Sequence, residues 1–289
     1  MEKAVNQNRK AIALFLLFTI GLSAIFYFLI IHTGKLGSGF GIYVMGLMWC
    51  PGLSALITSK VLKRKVSEIA WQWSKSIYML WAYLVPFIYA LVAYLIIWSA
   101  GWGGFFNKNF VNQVAGSFGW QHLPNGLVIF LYFVFMGIFG MVQNSAAALG
   151  EEIGWRGFLV PELYKITSYT KTSLITGIVW AVWHYPILIF ADYNSGTPVW
   201  YGLTCFTVMV ISSSFILTWF RLKSNSLWPA VILHASHNLF IQAFFTPLTR
   251  DTGHTKYFID EFGIVLSLTS LAAAVFFWAK RGQLTRTPG

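Results

Sequence analysis

Two carboxylates stand side by side in GEEIGWRG, residues 150 to 157, directly after a long apolar run, where an ionised side chain is costly unless it is paired or put to use. At about 100° per residue, Glu152 and Arg156 fall on one helical face, one turn apart, in the order that favours an ion pair. Arg156 is therefore expected to neutralise Glu152. Glu151 projects about 100° away and has no local cation, which makes it the candidate general base. Gly150, Gly154 and Gly157 occupy another face, where missing side chains let a neighbouring helix come close.

Two further polar groups interrupt apolar stretches. WAVWHYP places His184 inside a span, with Trp180 one turn before it. HASHN sets His234 and Asn238 at i and i+4 on one face, with His237 nearby at i+3. A single intramembrane histidine is often a hydrogen-bonded packing residue, and one polar pair can simply join two helices. A carboxylate, two histidines and an amide drawn from three helices point instead to a shared polar site.

The elements that must position these residues are membrane helices. With 57% hydrophobic and only 10% charged residues in 289, the chain has too little polar surface for a soluble globule. Eight apolar segments are close to the roughly 20 residues that cross hydrocarbon: Ala11 to Ile31, Phe40 to Ser59, Ile77 to Ala100, Leu127 to Leu149, Thr172 to Ala191, Trp200 to Phe220, Leu227 to Thr246 and Phe262 to Ala279. No alternating pattern calls for a barrel, so the expected fold is an all-α polytopic bundle of about eight transmembrane helices forming a single membrane domain, residues 1–289. The first run is longer than a signal-peptide core and no small-residue cleavage site follows, so it is expected to stay. Pro51, Pro86 and Pro186 fall within spans, where each removes a backbone hydrogen bond.

The net charge of +11 does not mark a nucleic-acid binder, because the basic residues alternate with the crossings instead of forming one patch. Sixteen of the twenty Lys and Arg fall at the N-terminus, the C-terminus and every second connection, so both termini are expected in the cytoplasm, with the plasma membrane as the expected location. The densest cluster, Lys60, Lys63, Arg64 and Lys65, precedes Trp71 and Trp73. It reads as a topology anchor, with an amphipathic surface helix as the other reading. Cys50 and Cys205 lie within spans, and neither is given a role.

The ordered motifs resemble those of the CAAX-processing and bacteriocin-processing family of membrane endopeptidases, which includes the Ras-converting prenyl protease and the Abi proteins. The family's EExxxR reads here as Glu151, Glu152 and Arg156, its FxxxH as Trp180 to His184, and its HxxxN/D as His234 to Asn238. The resemblance covers roughly Leu127 to Thr246, the expected catalytic core. The departure is Trp180 in place of Phe, an exchange expected to alter packing more than chemistry. The resemblance implies peptide-bond hydrolysis within the membrane, on a lipid-associated peptide or protein substrate. Glu151, helped by His184, would deprotonate water, and His234 and Asn238 would donate to the oxyanion.

The family is also described as metalloproteases, and Glu151, His184 and His234 are the residues that would supply three zinc ligands. No HExxH element is present, and Asn238 suits an oxyanion donor better than a ligand, which favours a metal-independent reaction. Two other functions fit a polar bundle: a proton-coupled transporter, and a noncatalytic immunity or scaffold protein. One tension lies in the spans themselves, since Glu151 sits near the end of its apolar run while His184 is about 18 Å along its own.

Overall fold

The computed structural model describes residues 2–34 and 41–284. Met1 and Gly289 lie outside the described residues, as do Phe40, where the second apolar run begins, and the charges of Lys35 and Arg286.

Among the described residues nine helices make up the architecture. α1 (Glu2–Thr33), α2 (Ile42–Val61) and α3 (Ser76–Ser99) precede a short helix, α4 (Lys108–Phe118). They are followed by α5 (Asn125–Ile166), α6 (Tyr169–Phe190), α7 (Val199–Ser224), α8 (residues 228–248) and α9 (Ile264–Ala279). Seven of these, all but α4 and α8, are long and apolar enough to cross a membrane, and the chain is an integral membrane helix bundle. α8 covers the remaining expected span as a continuous helical run. It carries His234, Ser236, His237 and Asn238, and the first three of these are buried in the protein. A two-residue antiparallel ladder, Gly104–Phe105 against Thr249–Arg250, ties the connection after α3 to the end of α8.

α5 resolves the mismatch in depth between Glu151 and His184. Its 42 residues run well beyond the apolar stretch, because nothing breaks the helix after Leu149. Glu151 thus lies fifteen residues before the helix ends at Ile166, and His184 lies fifteen residues after α6 begins at Tyr169. The antiparallel pair is joined by Thr167 and Ser168, the latter capping α6 through Lys171 N. Each residue is about 22 Å from that turn, so they share a level without any kink at Pro186.

The glycine face of α5 packs on α2. A Cβ on Gly150 would meet Trp49 and the Met48 carbonyl within 2.8 Å, and one on Gly154 would meet Pro51 at 2.5 Å, so only glycine permits this approach. Gly157 faces Ile69 in the connection after α2 instead. That connection is not an amphipathic helix. Residues 62–75 form a loop with one short turn, Val66–Ile69, and dock onto the start of α8, where Trp228 Nε1 donates to the Trp71 carbonyl at 2.8 Å. Arg64 of the basic cluster is paired with the buried Glu162 at 2.9 Å. The helix that sequence reading missed is α4. It is capped by Asn107 and ended by Gly119 in the left-handed conformation.

Candidate active site

Two of the three motif helices change their winding next to the motif. Ile153–Leu159 follows Glu152 as π-helical turns, and Leu239–Phe245 follows Asn238 in the same way. Such wide turns shift the phase of later side chains and recur at functional sites. The expected pair forms within this frame: Arg156 Nη1 donates to Glu152 Oε1 at 2.8 Å, with both side chains fully buried. The same oxygen accepts from Nδ1 of His234 at 2.9 Å. Glu152 thus joins α5 to α8 as well as holding Arg156. Arg156 also lies 4.3 Å over the Trp180 ring, and its carbonyl accepts from Arg221 Nε at 3.0 Å. Arg156 is therefore an interior cation and drops out of the surface charges that set orientation.

Glu151 is not the unpartnered carboxylate the spacing predicts. Trp155, at i+4, donates its indole N–H to Oε2 at 3.3 Å, and Trp180 of α6 donates to the same oxygen at 2.7 Å. The residue at i+4 is not a cation but a neutral donor. The Phe-to-Trp exchange at 180 is therefore more than packing, since phenylalanine has no N–H to give. Among the described residues Oε1 of Glu151 has no hydrogen-bond partner.

His184 is fixed through Nδ1, which donates to the Trp180 carbonyl at 2.9 Å. A carbonyl only accepts, so a neutral His184 carries its proton on Nδ1 and presents a bare Nε2. Glu151, His184, His234 and Asn238 all line one cavity of about 220 Å³, walled by apolar side chains such as Val44, Leu47, Phe206 and Met209. Although α1 and α2 lie outside the motif-bearing stretch, both contribute. α2 supplies part of the wall, and Ser23 of α1 accepts from Trp183 Nε1 at 2.8 Å.

A second polar cluster faces the same cavity. His237 Nε2 meets Glu261 Oε1 at 3.0 Å, and its Nδ1 meets the Tyr89 hydroxyl. Tyr193 donates to Glu261 Oε2 at 3.1 Å, and Gln242 Nε2 donates to the Tyr193 hydroxyl at 3.3 Å. Of these residues only His237 stands beside a motif. Glu261 comes from the loop before α9, and its sole sequence signal is that acidic residues are scarce, nine in 289.

The donor set decides whether a metal fits here. Nδ1 is engaged on both His184 and His234, leaving Nε2 on each as the available nitrogen. Among the described residues no three His, Cys, Asp or Glu side chains converge closely enough to hold one ion. Glu151, His184 and His234 as arranged do not make a three-ligand zinc site. Cys50 and Cys205 are both buried and unpaired with one another.

Comparison with known proteins bears on the same stretch. Residues 138–240 match the family model described as type II CAAX prenyl endopeptidase Rce1-like. The chain is similar to CAAX prenyl protease 2 of Methanococcus maripaludis, 32% identical over 142 residues, which are 47% of this chain and 48% of that protein. It thus spans about half the length of the curated relative it matches. The five motif residues that line the cavity, Glu151, Trp180, His184, His234 and Asn238, fall inside the matched segment.

Proposed function

We propose that this chain, whose motif-bearing segment is that of the Rce1-like CAAX-processing family, is an intramembrane endopeptidase that hydrolyses a peptide bond of a hydrophobic, lipid-anchored peptide using water activated by Glu151. The observation that carries the reading is the meeting of Glu151, His184, His234 and Asn238, from three helices, in one cavity. The name of the methanococcal relative favours a prenylated CAAX tail as substrate.

The chemistry follows from which atoms are left unengaged. Oε1 of Glu151 takes a proton from water, with Nε2 of His184 as a second acceptor in the same cavity. The hydroxide adds to the scissile carbonyl carbon, and the oxyanion accepts from the Asn238 amide and from Nε2–H of His234. Because Nδ1 of His234 already donates to Glu152, its Nε2 donates only when the ring is protonated, and Glu152 lies beside it as counter-ion. Collapse breaks the C–N bond, and the proton held by Glu151 leaves on the amine. No step requires a metal.

The test is incubation of the purified protein, in nanodiscs, with a farnesylated CAAX peptide, its unprenylated twin and an unrelated hydrophobic peptide, read by mass spectrometry. The expected result is loss of the residues C-terminal to the farnesylated cysteine. Absence of cleavage in all three would overturn the enzymatic reading, and cleavage only of the unrelated peptide would overturn the substrate class.

A further inference from the structure

We infer that Trp180 is a positioning residue for Glu151, holding the carboxylate by one oxygen so that the other is turned toward the cavity. For its effect on turnover the inference rests on the proteolytic reading above, whereas the bond itself rests on geometry.

Trp180 touches four members of the site. Its indole N–H gives Glu151 the shorter of the two hydrogen bonds on Oε2, 2.7 Å against 3.3 Å from Trp155. Its carbonyl accepts from Nδ1 of His184 at 2.9 Å. Its ring lies edge-on to His234, with centroids 5.3 Å apart, and the Arg156 guanidinium lies over its face at 4.3 Å. Trp180 is itself buried, so its N–H needs an acceptor, and the acceptor it has is the carboxylate. Two donors on one oxygen restrict rotation about the last side-chain bond. A carboxylate held by Trp155 alone swings about a single long contact, and the share of time that Oε1 faces the cavity falls. Phenylalanine, the family's residue in this motif, keeps a ring for Arg156 and His234 and leaves the backbone bond to His184 intact. It removes the donor together with the part of the indole that phenyl does not fill.

The experiment compares the parent, Trp180→Phe, Glu151→Gln and the double variant, with the farnesylated CAAX peptide as probe and ¹⁵N-tryptophan spectra of the same preparations. A hydrogen bond to a charged group is worth enough to set the scale, so kcat of Trp180→Phe is expected to fall about 10- to 100-fold with KM within about two-fold. In the Glu151→Gln background the same change is expected to cost nothing further, because Trp180 acts through that carboxylate. The indole N–H signal that disappears in Trp180→Phe is expected to move upfield in Glu151→Gln, where the acceptor has lost its charge. Unchanged kcat in Trp180→Phe, an equal loss in both backgrounds, or an indole signal indifferent to Glu151→Gln would each overturn the assignment. A parent that cleaves no peptide would sink the proteolytic reading, and the indole signal would still decide the bond.

Discussion

Two carboxylate–histidine clusters line one cavity, and they differ in what they leave unspent. Around Glu151, hydrogen bonds fall on one carboxylate oxygen and on one nitrogen each of His184 and His234, and a buried arginine supplies the charge balance. Among the described residues, Oε1 of Glu151, Nε2 of both histidines and the Asn238 amide have no partner. Around Glu261 both carboxylate oxygens and both nitrogens of His237 are engaged, with no arginine or lysine in the set. The unpartnered atoms belong to residues that line the cavity, where water or a bound molecule can complete them. The closed cluster braces α3, α8 and the loop before α9; the open one is where substrate and water are expected.

Breaking the charge balance of the open cluster should have the largest effect on stability. Arg156→Ala leaves Glu152 buried with only His234 beside it, and a loss of about 3 to 5 kcal/mol is expected from removing one partner of a buried pair. Adding Glu152→Ala should cost less than the sum of the two single changes. Thermal unfolding in detergent checks this, and strict additivity would count against the pair. Asn238→Ala should leave unfolding unchanged while turnover drops about 100- to 1,000-fold, the range for one oxyanion donor. For the closed cluster, Tyr89→Phe strips His237 of one partner. About 1 to 3 kcal/mol of stability should go, with turnover kept within a few-fold.

The smallest effect concerns pH. Asp260, in the loop outside the spans, is raised to about 6, first by burial and then by the charge of Glu261 beside it. A carboxyl whose folded value lies above its unfolded one adds stability below the ordinary carboxylate range and loses it as pH rises through about 6. Stability should therefore decline between about pH 4 and 6, and Asp260→Asn should flatten that slope. A slope unaltered in the variant would remove Asp260 from the account.

The open cluster was legible in the sequence because its members sit at helical spacings inside apolar runs. Helical phase alone gave the Glu152–Arg156 pair and a glycine face open to a neighbouring helix, though not which helix fills it. The Trp180 and Trp155 donors were missed because tryptophan in a membrane span reads as hydrophobic mass, and its single N–H shows its use only once an acceptor is placed against it. The closed cluster was out of reach for a different reason. Tyr89, Tyr193, His237 and Glu261 come from four separate elements and no local spacing relates them. The depth conflict between Glu151 and His184 arose from ending a membrane span where its apolar run ended; α5 stays inside the bundle beyond it because protein, not lipid, surrounds residues 150 to 160.

The most direct measurement sets Glu151→Gln beside Glu261→Gln, with turnover of the farnesylated peptide and thermal unfolding read on the same preparations. Both replacements keep size and remove one buried carboxylate from the cavity. Glu151→Gln is predicted to lose about 100- to 10,000-fold in turnover with unfolding unchanged, and Glu261→Gln to unfold at lower temperature with turnover within a few-fold of the parent. Retained cleavage in Glu151→Gln, or a turnover loss in Glu261→Gln as large as in Glu151→Gln, would contradict the division of the cavity into a reacting cluster and a bracing one.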